Sequence, residues 1–381
     1  MKIKNQILKV MLTLVLALSI FSCSNDGNND EIAKLPTFNE IVNADLANYS
    51  VLRKGLEVSG LLTAITGNGS YTVFAPNNAA FLAYRSPNFA AGIDNTVLTG
   101  TLTAAQANEL KRTLMYHVLS SATFSTDLPS KNYIKTYAPY GTSNSITLSA
   151  YVDKTNGIEI NGGDLMVAGV SNGGAKVTEG DIKASNGVLH KINAVLMLPT
   201  LYNQLNANKD LSSYLTNIEA DAVTKGFITS PVSNTQLFVP NNEAFTNAAS
   251  YLSGKTVAEI KNIIKFHITT RSSYDRNATV GIQTDQAQND GAATATSYLP
   301  TTAISNAVVS TKANAIAPAV GNQNFLILRN SFNVTQAIEV LPATSPAKYT
   351  EGASLGKLTI TNIHTLNGII HTVNKVLQPA L

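Results

Sequence analysis

The sequence predicts an α+β protein made of two similar domains in tandem. A segment that reads as a strand, a turn and a helix occurs twice, as Tyr71-Thr-Val-Phe-Ala-Pro-Asn-Asn-Ala-Ala-Phe81 and as Gln236-Leu-Phe-Val-Pro-Asn-Asn-Glu-Ala-Phe245. Each copy is followed by a helical run that ends at a histidine, and later by an Asn-Gly-apolar-apolar-His segment. Such self-similarity indicates a tandem duplication. The chain has 381 residues, 44% of them hydrophobic, which is enough for each copy to bury its own core.

The first residues predict a secretory signal peptide over residues 1–22. A basic start precedes an apolar stretch that is too short to cross a bilayer as a permanent helix. Ser22 then precedes Cys23, the only cysteine, and this junction resembles the lipobox of bacterial lipoproteins. The resemblance implies that signal removal leaves Cys23 as a diacylated N-terminus, which would hold the protein on a membrane. The alternative is a secreted protein whose Cys23 lies in the discarded peptide.

The next residues predict a flexible acidic tether over residues 23–34. After the cysteine the tract is polar and acidic up to Ile32, and a tract of this composition does not bury a core of its own. Short acidic tracts directly after a lipidated cysteine also resemble surface-export signals of some Gram-negative lipoproteins. The alternative is a spacer only. We therefore expect an outer membrane lipoprotein that faces the cell surface or the periplasm.

The charge of the chain argues against nucleic acid as a partner. The formal charge is +3, and loss of Lys2, Lys4 and Lys9 with the signal peptide brings it to zero. Binding of nucleic acid requires a basic face, which a neutral body does not supply. Because Cys23 is the only cysteine, disulfides and thiol chemistry within the mature chain are excluded.

The duplication sets the predicted domain bounds. We call residues 35–199 repeat 1 and residues 200–381 repeat 2. Because almost no linker separates them, we expect two domains that touch and move little relative to one another. Repeat 2 is longer, and its extra length includes a polar insertion at about residues 275–320, which predicts an exposed loop.

Each repeat begins with an amphipathic helical region, seen in repeat 1 as Phe38, Ile41 and Val42 at i, i+3, i+4 spacing. The duplicated segment follows. Its apolar run predicts a strand, its proline keeps the preceding residue extended, and an asparagine after the proline predicts a helix cap. The residues that define this segment are Phe74, Pro76, Asn77 and Phe81 in repeat 1, and Phe238, Pro240, Asn241 and Phe245 in repeat 2.

Two histidines in each repeat fall at predicted structural positions. His117 and His267 end helical runs in which apolar residues recur at helical spacing, so each imidazole is expected on the buried face. Asn186-Gly187 and Asn367-Gly368 predict tight turns with positive φ, each followed by a final strand that carries His190 or His371.

Together these segments resemble the fasciclin (FAS1) domain, twice, over nearly the whole mature chain. The resemblance implies that each domain has a β-sandwich or wedge-like β core with a cluster of helices on one side. It also implies extracellular adhesion or binding without catalysis. Repeat 2 departs from the pattern, because it has Phe266-His267 where repeat 1 has Tyr116-His117.

The same resemblance supplies candidate binding residues. In animal relatives an Asp-Ile pair just before the last strand and the Tyr-His region have been implicated in integrin binding. The matching positions here are Asp181, Ile182, Tyr116 and His117. Repeat 2 has asparagine at the position of the acid. The alternative for Asp181 is a solvated acid or a turn cap beside the preceding glycine.

The motifs of catalysis and metal binding are missing from the sequence. There is no His-x-x-x-His pair, no acidic cluster beside a histidine, no Gly-x-Ser-x-Gly elbow and no phosphate-binding loop. We therefore expect no enzyme activity, no cofactor and no metal, and we expect the histidines to be buried and hydrogen-bonded to the backbone or to a neighbour such as Tyr116.

The sequence thus predicts a membrane-anchored adhesion or ligand-binding protein, at the surface or in the periplasm, whose partner is an extracellular protein or glycan. The alternative is an accessory glycan-binding lipoprotein of a nutrient-capture system. The absence of tryptophan weakens a sugar-stacking platform, although fourteen tyrosines and twelve phenylalanines leave stacking possible.

Overall fold

The computed structural model describes residues 34–67, 69–141, 146–163, 166–167, 170–171, 173–230, 235–265, 267–269, 308–313, 324–329, 335–339 and 356–377. The predicted signal peptide, Cys23 and nearly all of the tether lie outside these residues, as does most of the insertion predicted at about 275–320. The chain divides into a unit Met1–Leu35 and a unit Pro36–Leu381, and the second holds both repeats apart from Leu35. The domain bounds within it stay a prediction.

Helices gather in the first part of each repeat. In repeat 1 they are α1 (Phe38–Ala44), α2 (Leu46–Val58), α3 (Leu62–Thr66), α4 (Asn78–Ala83), α5 (Asn95–Thr99) and α6 (Ala104–Tyr116). In repeat 2 they are α7 (Leu201–Ala207), α8 (Ser212–Glu219), α9 (Ala222–Thr229), α10 (Asn242–Asn247), α11 (Ala249–Leu252) and α12 (Val257–Lys265), with a 3-10 turn at Lys209–Leu211. None of these helices has the length and apolar character needed to span a bilayer.

Each repeat also contains a seven-stranded sheet. The strands of repeat 1 are β1 (Tyr71–Pro76), β2 (Val118–Leu119), β3 (Asn132–Pro139), β4 (Thr147–Asp153), β5 (Glu159–Ile160), β8 (Ala175–Ala184) and β9 (Gly187–Ile192), with a separate pair β6 (Met166–Val167) and β7 (Val170–Ser171). Those of repeat 2 are β10 (Thr235–Pro240), β11 (Ile268–Thr269), β12 (Val308–Ala313), β13 (Asn324–Arg329), β14 (Thr335–Glu339), β15 (Gly356–Thr365) and β16 (Gly368–Val373).

The two sheets share one strand order, which runs β2-β1-β9-β8-β5-β4-β3 in repeat 1 and β11-β10-β16-β15-β14-β13-β12 in repeat 2. In both, the strand of the duplicated segment pairs in parallel with the final strand. The sheets differ at one pairing, since β5 and β8 are antiparallel whereas β14 and β15 are parallel. The predicted α+β fold class is confirmed.

The core of repeat 1 has two parts. The edge strand β2 lies beside the opposite edge strand β3, so the sheet curls round an apolar cluster that includes Phe74, Tyr116 and Leu148. A second cluster, with Phe81 and Leu114 among its members, packs between the sheet and the helices. Burial of apolar surface on both faces accounts for the β core with helices on one side.

The duplicated segment sits at the centre of this architecture. Asn77 caps α4, because its side-chain oxygen accepts a hydrogen bond from Ala80 N–H at 2.8 Å, and Asn241 caps α10 in the same way. The predicted cap is confirmed. The second asparagine does something that the sequence did not suggest. Asn78 accepts from Val51 N–H at 3.0 Å and so ties α2 to α4.

The two hairpin glycines are required for a shared reason. A Cβ at Gly187 would lie 1.9 Å from Tyr71 O, and one at Gly368 would lie 2.1 Å from Thr235 O. The prediction of positive φ holds for Gly187, at +141°, but is wrong for Gly368, which lies outside the left-handed region. Close approach of the neighbouring parallel strand is therefore what both positions have in common.

Candidate functional site

His117 and His267 occupy matching places and make matching bonds. The Nδ1–H of His117 donates to Thr113 O at 2.7 Å, and its Nε2 accepts from Leu196 N–H at 2.9 Å. His267 bonds to Ile263 O and to Leu377 N–H, at 2.8 and 2.9 Å. Burial lowers the pKa of each imidazole to about 4, so both are neutral at physiological pH. Each ties the end of a helix to the segment after the final strand.

His190 and His371 lie on the final strands and stack on the phenylalanines of the duplicated segment. The ring centroids of His190 and Phe74 are 5.6 Å apart, and those of His371 and Phe238 are 5.3 Å apart. His190 Nε2 donates to Thr123 O at 3.0 Å. Burial lowers the pKa of His371 to about 3, with smaller contributions from His364 and Lys135. Both imidazoles therefore pack against the strand of the duplicated segment, and His190 also bonds to the loop after β2.

Over the described residues, histidine, cysteine, aspartate and glutamate form no group of three or more that could hold a metal ion. The expectation of no metal rests on the sequence patterns, and it stays a prediction for the chain as a whole.

Asp181 fixes a loop. It lies at an irregularity in the pairing of β8 with β9 and has a φ of +61°, which is unusual for a residue with a side chain. Its carboxylate accepts from Ser125 N–H at 2.7 Å and from Ser125 Oγ at 2.5 Å. The hydrogen bond from the Ser125 hydroxyl is the main reason that the pKa of Asp181 lies below its usual range. Ile182 packs partly buried against the helix-side core.

We call residues 120–131, between β2 and β3, the anchored loop. Besides Asp181, Thr72 Oγ1 holds it by donating to Ser121 O at 2.6 Å and accepting from Thr123 N–H at 2.8 Å. The Lys154 ammonium is bonded to three of its carbonyl oxygens, those of Ser125, Thr126 and Leu128, at 3.0, 3.3 and 2.9 Å. The exposed side chains are polar or small, among them Ser120, Ser121, Thr126 and Asp127. The loop is thus a polar surface held by charged and neutral hydrogen bonds from several strands.

Tyr116 and His117, the other two binding candidates, lie in the interior. Tyr116 is 0% exposed and His117 is 1% exposed. The Tyr116 hydroxyl donates to Ser149 O at 2.7 Å and accepts from Asn161 Nδ2 at 3.0 Å. Because neither side chain reaches the surface, neither is accessible to a binding partner in this structure. Phe266, the equivalent of Tyr116 in repeat 2, lies outside the described residues.

A polar contact links the two repeats, and we call it the junction. Gln204, on α7 of repeat 2, donates through Nε2 to Ser149 O at 3.0 Å and to Asn161 Oδ1 at 3.2 Å in repeat 1. His364 of repeat 2 lies beside Lys135 of repeat 1, with Nδ1 2.9 Å from Nζ. Leu366 packs against the core of repeat 1. The repeats therefore touch through buried groups.

The sequence patterns missed the role of the hairpin asparagines. The pattern predicts Asn186 as a turn residue, yet its side chain accepts from Phe38 N–H at 3.2 Å and donates to Ile65 O at 2.6 Å. Asn367 does the same in repeat 2, accepting from Leu201 N–H at 2.8 Å and donating to Ile228 O at 2.8 Å. Each clamps the first helices onto the final hairpin. The only signal in the sequence is the recurrence of asparagine at both sites.

Part of repeat 1 is similar to a known domain family. Residues 47–199 match the fasciclin domain model. The fasciclin match covers repeat 1 from its second helix onward, and it includes every candidate binding residue named above.

Among solved structures, one similar chain is a FAS1 domain pair from the insect cell adhesion molecule fasciclin I. It is 15% identical, and the alignment covers 86% of this chain and 97% of that one, with a TM-score of 0.43.

Proposed function

We propose that this chain is a non-catalytic adhesion or ligand-binding protein built of two fasciclin domains and anchored to a membrane through lipids on Cys23. The observation that carries the proposal is the match of residues 47–199 to the fasciclin domain, a family associated with adhesion. Repeat 2 is included in the proposal because its sheet has the same strand order as that of repeat 1. The contacts of His267 and Asn367 also match those of His117 and Asn186.

The chemistry of the histidines supports a role without catalysis. A general base must present a free nitrogen to a substrate. In His117 and His267 both ring nitrogens are bonded to the backbone, and the rings are buried. Neither imidazole is therefore available to move a proton in a reaction.

The anchored loop is the binding surface that we favour. A loop already held in place loses little conformational entropy when a partner binds, so more of the contact energy is left for affinity. Thr126 and Asp127 of this loop are exposed, whereas the Asp181 carboxylate accepts hydrogen bonds from Ser125. In this proposal Asp181 acts by positioning the loop.

The test uses the mature chain without its lipid anchor. Its binding to cells or extracellular matrix is compared with its binding to a glycan array. We expect the chain to be retained on cells or matrix and not to bind the glycans. The double variant Thr126→Ala/Asp127→Asn should lose most of the retention, whereas Lys111→Ala, an exposed change on α6, should keep it. Saturable binding of oligosaccharides would instead favour the glycan-capture alternative. If the double variant is retained as well as the parent chain, the binding surface is not the anchored loop.

The anchor has a test of its own. Mass spectrometry of the mature protein should find a diacylated Cys23 at the N-terminus, and protease treatment of intact cells should distinguish a surface from a periplasmic location. An unmodified chain that begins after residue 23 would contradict the lipid anchor at Cys23.

A further inference from the structure

Six asparagines of the chain directly precede a glycine. This pair is chemically unstable in proteins, because the glycine nitrogen can attack the asparagine side chain and glycine has no Cβ to hinder the approach. The reaction requires a side chain that is free to turn towards the next nitrogen, so its hydrogen bonds and exposure decide whether a given pair reacts. The asparagines that lie among the described residues are Asn156, Asn161, Asn186 and Asn367.

Three of these four side chains are buried and are bonded through both the oxygen and the nitrogen of the amide. Asn161 Oδ1 accepts from Tyr151 N–H at 2.9 Å, and its Nδ2 donates to the Tyr116 hydroxyl oxygen at 3.0 Å. The amides of Asn186 and Asn367 each accept from a backbone N–H and donate to a backbone carbonyl. A side chain held in this way reaches the next nitrogen only when the surrounding structure opens.

Asn156 is in a different environment. It lies in the turn between β4 and β5, and both Asn156 and Gly157 are exposed. The Asn156 side chain forms no hydrogen bond within the part of the chain that the structure describes. Gly157 has a φ of +89°, and the space where a Cβ would lie is open. Neither burial nor a bond to the amide therefore protects this pair.

We propose that Asn156 is a site of spontaneous deamidation in the folded protein. The Gly157 nitrogen attacks Cγ of Asn156 and forms a new C–N bond, while the Cγ–Nδ2 bond breaks and ammonia leaves with the proton of the attacking nitrogen. The product is a cyclic succinimide. Water then opens the ring at either carbonyl carbon. Aspartate results when the new C–N bond breaks, and isoaspartate results when the original main-chain bond breaks.

The modified turn lies beside the anchored loop. Lys154 donates through its main-chain N–H to Ser130 Oγ at 2.9 Å, and its ammonium is bonded to three carbonyl oxygens of the loop. Aspartate at position 156 adds a negative charge to this turn. Isoaspartate adds the same charge and also lengthens the main chain by one methylene group between Thr155 and Gly157. Because hydrolysis does not restore the amide, older molecules carry a different surface beside the loop from newly made ones.

The test follows the purified mature chain during incubation at about 37 °C and about pH 8, since the attacking nitrogen reacts after loss of its proton and a higher pH favours that loss. Peptide mass spectrometry measures the converted fraction at each Asn-Gly pair. Enzymatic methylation detects isoaspartate, which identifies the succinimide route because direct hydrolysis of the side chain gives aspartate alone. Conversion at Asn156 should exceed that at each of the three buried asparagines by at least about tenfold, because those react only after local opening.

Two controls separate the effect of the fold from that of the sequence. In concentrated urea the four asparagines should convert at similar rates, because each precedes a glycine and none is held. Asn156→Gln should show no conversion at this position, because its longer side chain would have to close a larger ring. Conversion of a buried asparagine as fast as Asn156 in the folded chain would overturn the proposal. So would an intact Asn156 in the folded chain under conditions where the unfolded chain reacts, or aspartate formed without isoaspartate.

Discussion

At the scale of single residues, burial keeps the imidazoles of His117 and His267 neutral. The imidazole of His117 bridges two backbone groups that would otherwise face each other without a bond, Thr113 O and Leu196 N–H. Because its pKa is lowered to about 4 by burial, the folded state holds it neutral over a range in which the unfolded chain binds a proton.

Replacement of His117 by alanine should destabilise the protein by about 3–5 kcal/mol, since it opens a cavity and leaves both backbone groups without a partner. The measurement is the free energy of unfolding in urea at neutral pH. Lys111→Ala, exposed on the same helix, should change it by less than about 0.5 kcal/mol. A stable His117→Ala protein that no longer binds its ligand would restore this residue as a binding candidate.

The same residue gives a pH dependence with a definite sign. A neutral imidazole whose folded pKa lies below 6.5 contributes stability that is fully present above pH 6.5 and is lost as the pH falls towards about 4. The loss for His117 is about 3 kcal/mol by the size of the shift. Urea unfolding at a series of pH values should therefore show a shallower decline for His117→Ala than for the parent chain. Equal slopes would contradict the neutral buried form.

At the scale of elements, the hairpin glycines control how the final strand meets the strand of the duplicated segment. Gly187→Ala would place a methyl group against Tyr71 O, and the parallel pairing of β1 with β9 would have to shift. We expect a loss of at least about 3 kcal/mol, measured as a fall in the melting temperature. Gly226, inside α9, has open space where a methyl group would be added, so Gly226→Ala should raise stability by about 0.5–1 kcal/mol. An unchanged melting temperature in Gly187→Ala would show that the pairing of β1 with β9 accommodates the methyl group.

Local patterns predicted the elements well where one residue type has one common role. Apolar spacing located the helices that end just before His117 and His267, and the proline followed by asparagine located the caps at Asn77 and Asn241. The side-chain clamp of Asn186 was missed, because its partners lie 148 and 121 positions away in the chain. Asparagine before glycine fits a turn equally well, so no local pattern separates the two roles.

The candidate site was harder to predict than the fold. The position of Asp181 was found through the family resemblance, but its bond to Ser125 and the three carbonyls around Lys154 depend on how the sheet brings distant strands together. The two hydrogen-bond partners of the Tyr116 hydroxyl, Ser149 and Asn161, also accept bonds from Gln204 of the other repeat. Sequence spacing carries no information about contacts of this kind until the topology is known.

At the scale of the whole molecule, the junction makes the two repeats dependent on one another. Gln204 is fully buried and places its amide among backbone and side-chain oxygens of repeat 1. Gln204→Ala should therefore lower the free energy of unfolding by about 2 kcal/mol and separate the unfolding of the repeats into two steps. Calorimetry measures both effects. Asn206→Ala, on the same helix and only partly buried, is the matched control and should keep the transition of the parent chain. One unchanged transition in Gln204→Ala would mean that the repeats are coupled by other contacts.

The buried phenols give the molecule an optical reporter. The chain has fourteen tyrosines and no tryptophan, and burial raises the pKa of Tyr116 and Tyr214 well above the usual range. In alkali the exposed rings become phenolates first, whereas these two ionise only when the interior opens to water. Because the first ring lies in repeat 1 and the second in repeat 2, ultraviolet absorbance of tyrosinate can follow denaturation in both halves without any added dye.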